Sequence, residues 1–537
     1  MKKKNVILVL LISLITANLI IADTPKTVST FESISIYWSP NGGADSLQVF
    51  VKFREKGTKN WNKGLSMIYN PIGKTTKELA DYRGSIVYLT PNRTYEIELA
   101  LEGTPIKDTV LAKTWSENFP IGKTIKISNL DSQYNITESG TEDGYILVDG
   151  TGSTIDVKNG SDFCIDVKGN YIIIRGFTLI GAKKCGINLT NNHDVIIEKC
   201  DISNWGEEEE NGFGFDYQSA VYSSNGPNVP CSLTRIIVQR CKIHDPRWDS
   251  NSWSEFHGDG YHPEGPQGIS FYNSAGNHVI RYNTIWSDKD HMYNDIIGFG
   301  ENSSYEGAPA YDSDIYGNYL ANSWDDGIEA EGANRNVRVW GNYIEKVLIP
   351  IGNAATSIGP LYIWKNTSGE TFGKYSAFIK MGYAKSIDIM TGHSYIFNNT
   401  ILQPNGYKGI GKDSRVIRHS VIRNNILHVK KGKNSISTGS RNLNFSCDYD
   451  LCSGKYPSNQ EEHGIEGTPI YIDGASFNYE NMTANYFLKS ESPGYDAGEI
   501  IPNFTDNYNG TAPDMGAFEA GDSLMEYGVN AYLGKGE

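Results

Sequence analysis

An acidic run between residues 324 and 332 is the part of the sequence best suited to chemistry. It reads Trp-Asp-Asp-Gly-Ile-Glu-Ala-Glu-Gly and supplies four carboxylates: Asp325, Asp326, Glu329 and Glu331. With Ile328 and Ala330 facing a core, Glu329 and Glu331 would project from the opposite face of one strand, about 7 Å apart. Carboxylates this close cannot all ionise freely at neutral pH, so at least one should keep its proton. Hydrolysis of a glycosidic bond uses such an acid beside a carboxylate.

A repeated pattern indicates the fold that carries these carboxylates. Apolar residues recur five and three positions before, and two positions after, a marked residue. The marked residues are Phe177, Cys200, Cys241, Asn283, Asn318, Asn342, Asn399 and Asn425. The closest of them are 23 to 26 residues apart, which is typical of one coil of a parallel β-helix. Asparagine side chains at one corner can hydrogen-bond to the coils above and below. The sequence therefore predicts a right-handed parallel β-helix over residues 120–450, closed by residues 451–537.

A second repeated strand gives the register of the acidic residues. It reads CGINL at 185–189, QGISF at 267–271, DIIGF at 295–299 and DGIEA at 326–330. Aligning the isoleucines as inward residues places Asp295 and Asp326 at one equivalent position. Because neighbouring coils lie about 4.8 Å apart, we expect Asp295 to stack against Asp326.

Residues 255–262 form an insertion rich in acidic, imidazole and aromatic groups. Insertions in solenoids often gather over one face and wall a groove. We therefore predict a substrate-binding group at this groove, which comprises His257, Asp259, His262, His291, Trp324, Arg338 and Lys380.

The acids also carry a resemblance to a known group of proteins. Asn294-Asp295, followed one coil later by Asp325-Asp326, resembles the polygalacturonases of the pectin-degrading β-helix superfamily, although their later Gly-His-Gly and Arg-x-Lys elements are missing here. The superfamily also includes pectate lyases. A lyase would use calcium at these acids to neutralise a uronate, with Lys380 or Arg338 as the proton abstractor. A hydrolase would need no cofactor and no metal.

The segment from 26 to 115 differs from the repeats and reads as short alternating strands. Its LTPNRTY run at 89–95 and Trp38 resemble the tyrosine corner and buried tryptophan of fibronectin type III domains. The resemblance implies a β-sandwich, and from the residues alone Tyr95 locks a turn while Trp38 fills a core. We expect this segment to space or dock the β-helix.

Composition limits the compartment and the partners. Three lysines, an apolar run to Ile21 and a small Ala22 predict a signal peptide over residues 1–22, hence a secreted chain with no membrane span once cleaved. A net charge of −15 without a basic block argues against nucleic acid as a partner. The seven cysteines are an odd number, and Cys447 with Cys452 is the favoured disulfide.

These observations favour a monomeric, secreted glycoside hydrolase that cleaves an extracellular polysaccharide. The candidate catalytic residues are Asp295, Asp325, Asp326, Glu329 and Glu331. Two alternatives stay open: a calcium-assisted polysaccharide lyase of the same fold, and a non-enzymatic glycan-binding or adhesin protein.

Overall fold

The computed structural model describes residues 24–533, apart from 71–80, 224–231, 259, 273, 299–303, 308, 373–376, 383–386, 412–415 and 439–441. Nearly all regular structure in this part of the chain is β, with one short 3-10 helix at Ile387–Ile389. No helix among these residues has the length and apolar character needed to cross a bilayer. The predicted signal peptide lies outside the described residues.

The N-terminal module consists of antiparallel strands around an apolar core that includes Trp38 and Ile97. Tyr95 locks the predicted turn, since its hydroxyl oxygen accepts a hydrogen bond from the Thr90 amide at 2.8 Å. The strands are Lys26–Ser29, Ile34–Trp38, Gln48–Glu55, Asn62–Lys63, Met67–Tyr69, Tyr82–Ile86, Thr94–Leu101 and Lys107–Lys113.

The rest of the chain winds into a parallel β-helix, so the predicted all-β fold class is confirmed. Its coils have three faces, and four long strands turn a corner to serve two faces. The first face comprises Ile121–Lys126, the starts of Tyr145–Asp156 and Ile172–Ile180, then His193–Glu198, Thr234–Gln239, Val279–Arg281, Asp314–Tyr316, Val337–Trp340, Leu361–Trp364, Ser394–Phe397, Arg418–Arg423 and Leu443–Asp448.

The other two faces follow in each coil. The second face comprises the ends of Tyr145–Asp156 and Ile172–Ile180, Asp201–Ser203, Lys242–His244, Thr284–Trp286, the starts of Tyr319–Glu329 and Tyr343–Asn353, Thr367–Ser368, Thr400–Gln403, Ile426–Val429, Leu451–Cys452 and Ile465–Glu466. The third face comprises Tyr134–Ile136, Phe163–Val167, Cys185–Leu189, Ser219–Ser223, Gln267–Phe271, Ile297–Gly298, the ends of Tyr319–Glu329 and Tyr343–Asn353, Ile379–Met381, Lys408–Ile410 and Asn434–Ile436. The parallel pairing thus continues past the expected boundary at 450, as far as Ile465–Glu466.

A buried amide ladder stabilises the corner between the first and second faces. Each asparagine donates its Nδ2 to the Oδ1 of the asparagine in the next coil at 2.9–3.1 Å, through Asn283, Asn318, Asn342, Asn366, Asn399 and Asn425. The ladder confirms the five predicted positions and adds Asn366. It ends at Asp450, whose Oδ1 accepts from Asn425 Nδ2 at 2.8 Å.

Terminal modules cover two of the three faces. The N-terminal sandwich docks on the first face, where Ser85 N donates to the Tyr362 hydroxyl at 3.1 Å. The closing segment, residues 467–533, covers the second face, where Tyr479 Oη donates to Glu345 at 2.9 Å. It includes a small antiparallel sheet of Ser476–Asn478, Thr483–Asn485 and Met525–Glu526. Among the described contacts, neither module touches a strand of the third face.

The cysteines of the coils are core residues. Cys200 and Cys241 stack at the corner that precedes the asparagine ladder, as expected, and the Cys241 amide donates to Asn283 Oδ1 at 2.9 Å. The predicted disulfide between Cys447 and Cys452 is wrong, since both are buried free thiols. They belong to successive faces, where each pairs with the coil above and fills the interior.

Candidate active site

The third face brings the predicted aspartates together. Ile269, Ile297 and Ile328 pair in register in successive coils, which confirms the predicted alignment. As a result the Asp326 amide donates to Asp295 Oδ1 at 2.8 Å. The other oxygen of Asp295 lies 3.3 Å from the Gln267 side-chain amide. A hydrogen bond between coils therefore fixes the position of Asp295.

Two glycines shape the space around Asp326. Gly327 packs closely beside Asp326, since a Cβ there would lie 2.7 Å from Ile344 Cγ2. Gly352, one coil later, leaves the room that the carboxyl occupies: a Cβ there would lie 2.0 Å from Asp326 Oδ2 and 3.1 Å from Glu331 Oε1. The packing of the site therefore depends on the absence of a side chain at 352.

Lys380 binds the acids from the coil beyond Gly352. Its Nζ lies 2.7 Å from Asp326 Oδ2 and 3.1 Å from Glu331 Oε1. Glu331 also accepts a hydrogen bond from the Ala354 amide at 3.0 Å. Burial alone would lower the pKa of Lys380, but Asp326 and Glu331 outweigh it and hold the pKa well above its usual value. Lys380 is therefore a buried cation whose charge offsets part of the acid cluster.

Burial is the main cause of the altered titration of the aspartates. It raises the pKa of Asp295 well above the usual value, and the charges of Glu329, Asp325 and Asp326 raise it further. Burial also raises the pKa of Asp326 well above its usual value, but there Lys380 opposes the shift. Burial rather than charge repulsion is therefore the leading cause of the raised pKa of both aspartates.

Three carboxylates converge closely enough to hold a cation. Oxygens of Asp295, Asp326 and Glu329 lie within 4.8 Å of one another. Within the described part of the chain, the buried Asp326 Oδ1 receives no hydrogen bond. Hard oxygen donors of this kind suit Ca²⁺ or Mg²⁺. Glu329 is the half-exposed member and connects the cluster to solvent.

The ring of His262 contacts a catalytic candidate. His262 Nε2 lies 3.4 Å from Asp325 Oδ2, and its ring packs edge-on against Trp253, 4.8 Å between centroids. The side chain of His262 is 59% exposed, whereas that of Asp325 is 7% exposed. The 255–262 insertion therefore reaches the acid cluster from the solvent side.

The other predicted binding residues have different surroundings. His257 is buried between two carboxylates, with Glu264 at 2.8 Å and Glu209 at 3.2 Å from its ring nitrogens. His291 is half-buried, and its amide donates to Asp288 O at 3.3 Å. Trp324 packs against Phe372 with 5.3 Å between ring centroids. Asp259 lies outside the described residues.

Arg338 does not belong to the site. It is fully buried between the β-helix and the sandwich, and its Nε donates to Asp314 at 2.6 Å. Its Nη1 donates to Ser35 at 2.8 Å and to Ser85 at 3.0 Å. The expected contact of Arg338 with substrate is therefore wrong, because the N-terminal module covers its strand.

Asp216 is a neighbour of the site that sequence reasoning missed. Its Oδ1 accepts a hydrogen bond from Asn294 Nδ2 at 3.1 Å, directly beside Asp295 in the chain. Burial raises the pKa of Asp216 to about 6. It lies in an insertion outside the repeat, so only its place before the strand Ser219–Ser223 could have indicated it.

Comparison with known proteins gives two likenesses among solved structures. A family 28 exopolygalacturonase from Yersinia enterocolitica covers 81% of this chain and 100% of its own, at 10% identity and a TM-score of 0.31. The pectate lyase PelI from Erwinia chrysanthemi, solved with tetragalacturonic acid, covers 70% of this chain and 84% of its own, at 10% identity and a TM-score of 0.14. No protein-family model and no curated protein matches the sequence. At these values the likenesses carry no argument about function, so the fold rests on the strand register and the function on the acid cluster.

Proposed function

We propose that this chain is a glycoside hydrolase that cleaves an extracellular polysaccharide at the third face of its β-helix. The observation that supports the proposal best is the convergence of Asp295, Asp326 and Glu329 within 4.8 Å. Asp295 has a raised pKa and is the proton donor, whereas Asp326 forms an ion pair with Lys380. A carboxyl group that burial keeps protonated can act as the acid in such a cluster.

The reaction follows from these roles. Asp295 gives its proton to the glycosidic oxygen while the bond from that oxygen to the anomeric carbon breaks. The half-exposed Glu329 is the carboxylate on the open side of the cluster, and its short distance from Asp295 suits a nucleophile, which bonds to the anomeric carbon as the leaving group departs. Asp295, now ionised, then takes a proton from the water that displaces Glu329 from the anomeric carbon and frees the sugar. Lys380 holds Asp326 in place, and His262 with Trp253 borders the site at Asp325.

Variants of the two carboxyl groups test the proposal on a panel of neutral and uronate polysaccharides. The wild type should release reducing ends from at least one polymer. Asp295→Asn and Glu329→Gln should each lower the rate by about 10²- to 10⁴-fold, the range of general acid–base catalysis. Glu142→Gln, an exposed carboxylate on the first coils, should leave the rate unchanged. Hydrolysis that survives both site variants would refute the assignment.

A second candidate, a cation-assisted uronate lyase, is favoured by the unpartnered Asp326 Oδ1. Asp295, Asp326 and Glu329 would hold the cation, which when bound would supply positive charge against a uronate carboxylate. Lys380 would have to lose its own proton before it could accept the one on the carbon that bears this carboxylate, whereas Asp326 and Glu331 keep it charged. A lyase product absorbs in the ultraviolet through its new carbon–carbon double bond, and its formation should stop with a chelator. Reducing ends without that absorbance identify the hydrolase.

A further inference from the structure

A line of side chains leads from the acid cluster along the stack of coils. Trp324 precedes Asp325 in the chain and packs against Phe372, which lies two coils further on. Next to Phe372, residues 370 and 371 border a cavity of about 460 Å³ at the turn between the second and third faces. The aromatic pair of Trp324 and Phe372 therefore lies between Asp325 and this cavity.

The cavity has a mixed lining that suits a sugar. Glu370, Thr371, Gln403 and Asn405 supply polar groups, and Leu402 and Pro404 supply apolar surface. Sugar rings present hydroxyl groups at the edge and C–H groups on the face, so they match such a lining. The space is kept open at Gly406, where a Cβ would lie 2.7 Å from Gln403 Oε1.

Gln403 is the feature that points to a ligand. The residue is 3% exposed, yet neither its Nε2 nor its Oε1 has a hydrogen-bond partner within the described part of the chain. A buried amide without partners costs free energy, because its donor and acceptor have both lost water. A ligand hydroxyl, which donates and accepts, would satisfy both atoms.

The strand register sets the distance between cavity and acids. Ile328 pairs with Ile351, Ile351 with Ile379, and Ile379 with Ile410. The cavity residues precede Ile379 and Ile410, so they lie two and three coils beyond Asp326. At about 4.8 Å per coil the separation is about 10–14 Å. A chain bound at the acids would reach the cavity after a few glycosyl units.

We propose that this cavity is a binding subsite for an uncharged glycosyl unit of the same polysaccharide that the acid cluster cleaves. The inference rests on the proposed function. Glu370 is the one ionisable residue among the described residues that line the cavity, and its carboxylate disfavours a uronate anion there. A neutral sugar or an esterified uronate fits the amide and avoids this repulsion.

Binding of galacturonan oligosaccharides tests the subsite. The probes are a dimer and a hexamer, each as free acid and as methyl ester, measured by calorimetry on a Glu329→Gln background that blocks cleavage. We expect the esterified hexamer to bind more tightly than the dimer. Gln403→Ala should weaken hexamer binding about five- to tenfold and leave the dimer unchanged. Gln48→Ala, on the exposed sandwich surface, is the matched control.

Each outcome decides the proposal. Hexamer affinity that is equal in Gln403→Ala and Gln48→Ala would overturn it, and so would a wild-type chain that binds no oligomer. Glu370→Gln should reduce the preference for the ester, whereas an unchanged preference would remove the charge argument and the uncharged ligand with it. If the wild type cleaves polymer but Gln403→Ala does not weaken hexamer binding, only the subsite is refuted. If the wild type neither cleaves polymer nor binds any oligomer, the proposed function is refuted as well.

Discussion

At the scale of the residue, the site depends as much on a missing side chain as on the charged ones. Asp326 is fully buried and forms an ion pair with Lys380, and the absence of a side chain at Gly352 leaves room for this contact. The acidic run itself was visible in the sequence. The role of Gly352 was not, because the coil that contains it carries no acid on that face and the contact needs the three-dimensional register.

Gly352→Ala should therefore impair cleavage without altering any charge. The added Cβ would lie 2.0 Å from Asp326 Oδ2, so the carboxyl and Lys380 must both shift. Asp326 fixes Asp295 through its amide, and a misplacement of about 1 Å that starts away from the reacting groups costs about 10²-fold in rate. The measurement is kcat/KM, with Gly144→Ala on the first coils as the control because a Cβ there would meet nothing nearer than 3.4 Å. Equal activity of the two variants would show that the position of Asp326 does not matter.

At the scale of the element, the corner ladder was predicted from the spacing of apolar residues around each asparagine. The same spacing rule explains why two members of the ladder were missed. Asn366 escaped detection because the residue two positions later is Ser368, where the pattern demands an apolar side chain. Asp450 escaped because it is not an asparagine, although its neighbours fit the pattern. Periodicity therefore finds coils with apolar flanks and passes over those that bury a small polar residue.

Removal of one amide from the ladder should destabilise the whole stack. Asn342 is fully buried; its Nδ2 donates to Ile315 O at 3.0 Å and its Oδ1 accepts from Asn318 Nδ2 at 2.9 Å. Asn342→Ala leaves these partners unsatisfied, at a cost of about 1–3 kcal/mol for each buried group. Denaturant unfolding should show this loss, whereas Asn191→Ala, on an exposed turn, should cost little. Equal midpoints would contradict the role of the ladder.

The carboxyl pair at the end of the ladder predicts a pH dependence. Burial, followed by the charge of Asp450, raises the pKa of Glu461 to about 10, and burial raises that of Asp450 to about 6. A raised folded-state pKa means that the native chain keeps a proton which the unfolded chain has lost, so stability falls as pH rises above the usual carboxyl range. Glu461→Gln removes this penalty. Its melting temperature should exceed that of the wild type by more at about pH 8 than at about pH 4. A constant difference would refute the assignment.

At the scale of the whole molecule, the two ends of the chain leave one face open, and the acids lie on it. This arrangement could not be read from the sequence, because the partners are remote: Ser35 and Arg338 are 303 positions apart. The strand that carries Arg338 looked exposed only because its cover comes from a separate module. The alignment of Asp295 with Asp326 on the third face needed only the local repeat of the strands, which the sequence contains.

Arg338→Ala should weaken the attachment of the sandwich while sparing the catalytic site. The side chain is 0% exposed and pairs with Asp314, so its removal leaves a buried carboxylate without its cation, at a cost of about 3–5 kcal/mol. Calorimetry should show a lower melting temperature, and KM for the cleaved polymer should be unchanged. Arg93→Ala, at an exposed ion pair with Glu55, should have little effect. A raised KM with an unchanged melting temperature would restore Arg338 to the substrate site.

The amide ladder also has a direction, and the direction limits how the stack can grow. Every Nδ2 donates towards the C-terminus, from Asn283 to Asn425, and the row ends on Asp450, a side chain that accepts and, when ionised, cannot donate. An engineered β-helix lengthened by extra coils before Asp450 needs only another asparagine at the corner. Coils added beyond Asp450 require Asp450→Asn first, because position 450 must then donate an amide hydrogen to the side-chain oxygen at the corner of the new coil. A single carboxyl group therefore ends the amide ladder one pairing before the last parallel strand, Ile465–Glu466.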